Sequence, residues 1–172
     1  MINWNKIYKE KVEFTPISEQ FLDLAELKGR TALDIGCGEG HLIRQLQARG
    51  FATTGIDLSS YAKPDIVGDF LDKNLGQFDV IFANKVIAFN DPKEFIKHVT
   101  KHMHKDTVFV LITPVTRPES KYSKHTKSIS VDQETIQNIL SDNFSWKLYQ
   151  SFNKNFGTDY YVCSLNFLSR WT

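Results

Sequence analysis

The densest cluster of residues able to do chemistry in this 172-residue sequence is Leu33-Asp34-Ile35-Gly36-Cys37-Gly38-Glu39-Gly40. Glycines permit a tight turn and let main-chain N–H groups approach a ligand, and a helix opening after them favours an anionic group at its amino terminus. The spacing is Gly-x-Gly-x-Gly. A dinucleotide fingerprint would read Gly-x-Gly-x-x-Gly, and His41 stands where its third glycine belongs. Asp57, at the end of the next β-rich run, is placed to accept hydrogen bonds from two ribose hydroxyls. The bland alternative is a helix-opening turn with no ligand; Asp34, Asp57 and the strand context together favour a nucleotide-like one.

Such a turn needs a strand before it and a helix after it, and the hydrophobic pattern supplies both. Short β-rich runs alternate with longer helical ones, which predicts an α/β sheet. A helix is expected over 18–28, capped by Ser18 and stopped by Gly29, then a strand over 31–35. The glycine turn leads into a helix over 40–49 with Leu42, Ile43 and Leu46 inward, and a second strand covers 52–57. Only Leu58 to Pro64 separates that strand from Asp65-Ile66-Val67, leaving room for one helical turn at most. A fourth strand is expected over 78–83. Asp91, Pro92 and Glu94 then open a helix running to His104, and Val108 to Ile112 read as a central strand buried on both faces. Asp132 or Ser130 caps a helix through Leu140. The last two runs, 146–152 and 160–167, are joined too closely for a crossover, so the final strand is expected to pair antiparallel as a hairpin.

Composition narrows the function classes. The chain is 41% hydrophobic and 24% charged, ordinary for a globular protein, and its length suits one domain over 1–172, with residues 1–30 as a helical segment and candidate lid. No apolar run approaches the roughly 18 residues of a membrane span. The opening Met1-Ile2-Asn3-Trp4-Asn5-Lys6 has no apolar signal core, so the cytoplasm is the expected compartment. Two cysteines, Cys37 and Cys163, are too few for a disulfide framework. With 21 basic and 20 acidic side chains the formal charge is +1, which makes no electrostatic case for nucleic acid or an anionic membrane.

Ala32 to Gly40 together with Gly55-Ile56-Asp57-Leu58-Ser59 resemble motif I and the strand-two acidic motif of class I S-adenosylmethionine-dependent methyltransferases. Further segments match in order: Gly68-Asp69-Phe70, Phe78 to Ile81, Asp91-Pro92, Val110 to Pro114 and Ser130 to Ile136, the last two resembling the small-molecule branch that includes ubiquinone-biosynthesis enzymes. The resemblance implies a doubly wound, three-layer αβα fold with a seven-stranded, mostly parallel sheet whose last strand is antiparallel. It implies S-adenosylmethionine as cofactor and S-adenosylhomocysteine as product. Residue by residue, it places the backbone of Gly36, Cys37, Gly38 and Gly40 against the methionine moiety, with Asp34 near its amino group. Asp57 would hold the ribose and Leu58 would pack on adenine. Asp69 would accept from the adenine amino group, with the Phe70 backbone at the ring edge, and the carbonyl of Asn84 or its neighbour would meet the methionine ammonium. The alternative for Asp69 is a turn aspartate capping its own backbone.

Outside these motifs the sequence departs from that family: Ala88-Phe89 stands where many relatives carry Glu-His. The basic stretch Thr116 to Lys127 leaves the fifth strand at the carboxyl edge of the sheet, where open α/β folds bind ligands, and its Tyr122 or His125 could act as general base. Its alternative is a solvated loop. No metal site is expected: His98, His102 and His104 read as part of a solvated basic helix face, and Cys37 as packing. The aromatic opening Trp4 to Tyr8 could cover the cofactor as a lid, with ordinary packing as the alternative. The expected function is methyl transfer to a small-molecule substrate, with a homo-oligomer or partner subunit completing the pocket if the chain alone does not. A non-catalytic cofactor-binding protein and an RNA or protein methyltransferase are the rival readings, and a nicotinamide dehydrogenase is the least favoured.

Overall fold

The computed structural model describes residues 3–9, 17–114, 132–152 and 157–165. Helices α1 (Trp4–Lys9) and α2 (Glu19–Leu24) precede strand β1 (Thr31–Ile35), helix α3 (His41–Ala48) and strand β2 (Ala52–Asp57). Strands β3 (Ile66–Val67) and β4 (Phe78–Asn84) follow, then helix α4 (Pro92–Thr100) and strand β5 (Met103–Pro114). Helix α5 (Gln133–Asn143) and strands β6 (Ser145–Phe152) and β7 (Gly157–Ser164) complete the described chain.

The seven strands form one sheet in the order β3-β2-β1-β4-β5-β7-β6. Pairings among the first five are parallel, while β7 runs antiparallel to both β5 and β6, so β7 alone is reversed. Both faces are covered. On one, Leu33, Ile35, Ile81, Phe109, Leu111 and Tyr161 pack with Phe95 and Ile96 of α4 and Ile136 and Leu140 of α5. On the other, Ala32, Val80, Phe82, Val110 and Val162 meet Phe21 and Leu22 of α2 and Leu42 and Leu46 of α3. This double burial is why Val108 to Ile112 reads as a continuous apolar run rather than an alternating one. Strand order reverses between β1 and β4, and the carboxyl edge there is the usual binding crevice of such sheets.

Three expected elements differ in extent. The helix expected over 18–28 closes at Leu24: Ser18 makes no side-chain cap bond, and Glu26 turns the chain with φ 48°. The stop is tertiary, because the Asp79 carboxylate takes the N–H groups of Arg30 and Thr31 at 2.7 and 2.8 Å and draws the chain into β1. The helix expected to reach His104 ends at Thr100, and β5 begins at Met103, opposite Phe78. There Phe78 N–H donates to the His102 carbonyl at 3.1 Å. The final strand starts at Gly157, three residues before the expected Tyr160, since the hairpin pairs Phe152 with Gly157.

The histidines also depart from a solvated face. His102 is 1% exposed, with Nδ1 2.8 Å from the Gly76 carbonyl, and burial lowers its pKa. His98 approaches it at 3.4 Å between Nε2 atoms, beside a cavity of about 430 Å³ lined by Lys73, Asn74 and Lys101 among others. His104 lies on β5, not on the helix, and its Nε2 is 3.1 Å from Asp79. Hydrogen bonds of His102 to the Gly76 carbonyl and of His98 Nε2 to the Lys73 carbonyl, at 2.9 Å, explain the burial that a charge-pattern reading missed.

Candidate functional site

The glycine turn forms at the carboxyl end of β1 because its residues accept geometry that side chains would resist. Gly36 and Gly38 have φ of 70° and 51°. A Cβ on Gly36 would stand 2.7 Å from Val86 Cγ2, and one on Gly38 would stand 2.9 Å from the Tyr8 hydroxyl. The turn is thus wedged between the segment after β4 and helix α1, and α3 opens directly behind Gly40. Backbone N–H groups of Gly36 and Cys37 donate to the Ile56 carbonyl, which ties the turn to β2.

Asp57 ends β2 against this turn. Its Oδ2 accepts from Gly38 N–H at 2.9 Å and from the Tyr8 hydroxyl at 3.2 Å, and its Oδ1 accepts from Ser59 N–H at 2.8 Å. Two backbone donors hold the carboxylate in place, while the third donor comes from α1. Helix α1 is fastened further by Asn5, whose Oδ1 accepts from the Ser59 hydroxyl at 2.6 Å. Trp4 meets Phe89 edge-on, 4.9 Å between ring centroids. The aromatic opening therefore spans the ends of β2 and of the β4 connection. Burial and the neighbouring Asp57 carboxylate raise the Tyr8 pKa, so its hydroxyl remains a donor.

Asp34 is 3% exposed within β1, and burial, then the Asp57 charge, push its pKa up to about 8. Cys37 is buried and unbonded to any other cysteine, and burial raises its pKa, so the thiol is a packing group. It lies against Gly55, where an added Cβ would come within 2.8 Å of its sulfur. Leu58, just past Asp57, is 52% exposed and offers free apolar surface. Asp69 caps its own turn: Oδ1 accepts from Leu71 N–H at 3.0 Å, the bland alternative for that residue. Phe70 is buried against Phe95 and His98. Asn84 closes β4 opposite Ile112, and its side-chain oxygen is buried with no hydrogen-bond partner. Tyr122 and His125 lie outside the described residues. Among the described residues no group of three or more His, Cys, Asp or Glu side chains is arranged for a metal ion, and no helix is long and apolar enough to cross a membrane.

Sequence reasoning brought Asp34, Gly36, Cys37, Gly38, Gly40, Asp57, Leu58 and Asn84 to one edge of the sheet, where the structure has them. It missed the Tyr8 to Asp57 hydrogen bond, whose partners are 49 residues apart. The only available signal was the aromatic cluster of the opening segment.

A sequence-family model described as "Methyltransferase domain" matches residues 8–151. The chain is 31% identical over 107 residues to a ubiquinone biosynthesis O-methyltransferase of Caulobacter vibrioides, covering 52% of this chain and 42% of that protein. It is 38% identical over 60 residues to the corresponding Nitrosomonas europaea protein, covering 34% of this chain and 26% of that one. The matches thus span less than half the length of these curated relatives. Among solved structures, magnesium protoporphyrin IX methyltransferase (ChlM) from Synechocystis PCC 6803 with bound SAH superposes with a TM-score of 0.63 at 16% identity, covering 84% of this chain and 78% of that one. At such identity the likeness speaks to the fold.

Proposed function

The chain belongs to the methyltransferase-domain family, and on that premise we propose that it transfers a methyl group from S-adenosylmethionine to a small-molecule acceptor, releasing S-adenosylhomocysteine. The observation that carries this reading is the Asp57 carboxylate, fixed by Gly38 and Ser59 N–H groups beside a glycine turn at the carboxyl edge of β1. The residues present suit the cofactor: Asn84 offers a buried oxygen without a donor, and the turn leaves no room for a Cβ at Gly36 or Gly38. When bound, the cofactor supplies a methyl group already activated on a sulfonium, so the protein's part is alignment and exclusion of water.

In this reading Asp57 binds the ribose hydroxyls and the backbone of Gly36, Cys37, Gly38 and Gly40 lies against the methionine portion. Asp34 lies beneath the turn near the methionine amino group, and Asn84 orients the ammonium. Leu58 covers the adenine, whose edge meets Asp69 and the Phe70 backbone. A general base matters only for an acceptor that is protonated at working pH, and Tyr122 or His125 would then take the proton. We read residues 1–172 as one domain working in the cytoplasm, with a second copy or partner subunit as the source of any missing pocket wall. A net charge of +1 gives no support to a polyanionic acceptor.

Acceptor-dependent formation of S-adenosylhomocysteine, followed chromatographically across a panel of catechols, phenols and small carboxylic acids, tests the proposal. The reading expects turnover with a member of the panel and its loss in Asp57→Ala. Cofactor binding without turnover on any acceptor would favour a non-catalytic binding protein, a reading that the apolar Ala88-Phe89 pair, whose Phe89 ring meets Trp4 edge-on, also motivates.

A further inference from the structure

At the amino edge of the sheet, where β4 begins at Phe78 opposite Met103 of β5, two histidine rings meet over the connection that leads from β3 into β4. His98 stands in the last turn of α4 and His102 just past its end, the i, i+4 spacing that brings two side chains together. Phe70 packs against both, with ring centroids 4.8 Å from His98 and 5.2 Å from His102. Their Nε2 atoms are 3.4 Å apart.

The hydrogens on these rings are too few for the acceptors around them. His102 Nδ1 lies 2.8 Å from the Gly76 carbonyl, which only accepts, so Nδ1 carries the hydrogen and Nε2 of the neutral ring holds a lone pair. His98 Nε2 lies 2.9 Å from the Lys73 carbonyl. Its one hydrogen is used there, which leaves the buried His102 lone pair a second-choice partner at 3.4 Å. Three electron-pair donors, the Nε2 of each ring and the Lys73 carbonyl, thus face one another.

Zinc takes nitrogen at about 2.0–2.1 Å, which sets neighbouring donors about 2.9 Å apart at a right angle and about 3.4 Å apart at the tetrahedral angle. The separations here, 2.9 and 3.4 Å, match those limits. The Gly76 carbonyl acts on His102 as a backbone acceptor does behind a metal-ligating imidazole, fixing the tautomer that presents Nε2. Both rings border the cavity of about 430 Å³, and exposed Asp72 is the carboxylate among its lining residues. The Lys73 ammonium reaches instead over Gly68, where an added Cβ would stand 3.3 Å from its Nζ.

We propose that His98 and His102, with the Lys73 carbonyl, bind a divalent first-row transition ion such as zinc, with Asp72 or water in the cavity completing its coordination. Because the third donor is a main-chain oxygen, the site contains fewer than three His, Cys, Asp or Glu side chains. The ion ties the connection before β4 to the end of α4. The site lies at the opposite edge of the sheet from the glycine turn, so the proposal stands apart from the methyl-transfer reading.

The test uses the full, untagged chain, stripped with a chelator and titrated with zinc chloride in a calorimeter, with magnesium chloride as the control for an ion that prefers oxygen ligands. Zinc is expected to bind at one per chain and magnesium not at all. Zinc at about a hundredfold above its Kd should raise the thermal midpoint by about 5–10 °C, and EDTA should reverse the rise. His98→Gln should weaken zinc binding at least about tenfold. Long-range proton–nitrogen spectra of the wild-type chain give a readout that needs no substitution: zinc should move Nε2 of His98 and His102 and leave the other three of the five histidines in place. Absence of zinc binding, undiminished binding in His98→Gln, or shifts confined to other histidines overturns the site.

Discussion

At Asp57 three donors from separate parts of the chain converge on one carboxylate, and their origins differ in consequence. Gly38 and Ser59 belong to the cradle, whereas Tyr8 belongs to α1 and takes an acceptor position that a ribose hydroxyl would otherwise use. Asp57→Ala should weaken S-adenosylmethionine binding by about 2–3 kcal/mol, the scale of charge-assisted hydrogen bonds; unchanged affinity in calorimetry would remove the ribose assignment. Tyr8→Phe should instead tighten binding, by about two- to tenfold if one competing neutral donor is removed. A weaker complex would mean that the Tyr8 hydroxyl contacts the ligand. Asp34 gives a pH signature. Its folded pKa, about 8, lies above its unfolded value of about 4, so the native state binds a proton that the unfolded state lacks between those limits. Stability should therefore fall as pH rises from about 4 to about 8. Urea midpoints for wild type and Asp34→Asn should converge below about pH 4, with wild type falling progressively further than the variant up to pH 8.

Among the elements, the hinge between α2 and β1 depends on Asp79, which accepts from Arg30, Thr31 and His104 and whose pKa these hydrogen bonds hold down to about 2. A depressed carboxylate stabilises the fold above its unfolded pKa and loses that contribution as pH falls, here between about 4 and about 2. Asp79→Asn should cost about 1–3 kcal/mol near neutral pH and little at pH 2, as read by chemical denaturation. The strands were the most legible elements. β2 over Ala52–Asp57, the single turn before β3 and the antiparallel hairpin all follow from local pattern and loop length. The ends of α2 and α4 were not legible, because they are set by partners far away in sequence: Asp79 for Arg30 and Thr31, and Phe78 for His102. A capping residue announces where a helix can start, as Asp91 and Asp132 do, each accepting from the N–H three residues on. It says nothing of where a strand will recruit the chain.

For the molecule as a whole, the sheet order puts the glycine turn, Asp57 and Asn84 on one edge, at the reversal between β1 and β4. That convergence was readable from the sequence because motif spacing and strand order are linked in this family. What α1 does across that edge was not readable, since Tyr8 and Asn5 reach their partners through contacts 49 and 54 residues apart. The left-handed backbone of Lys85 just after β4, with φ 62°, was equally invisible to pattern. The central claim is that this edge binds an adenosyl sulfonium cofactor rather than a dinucleotide. Isothermal titration of the full chain with S-adenosylmethionine, S-adenosylhomocysteine and NAD tests it most directly. The account predicts micromolar binding of the first two and none of NAD; binding of NAD with comparable affinity, or of neither adenosyl ligand, would contradict it.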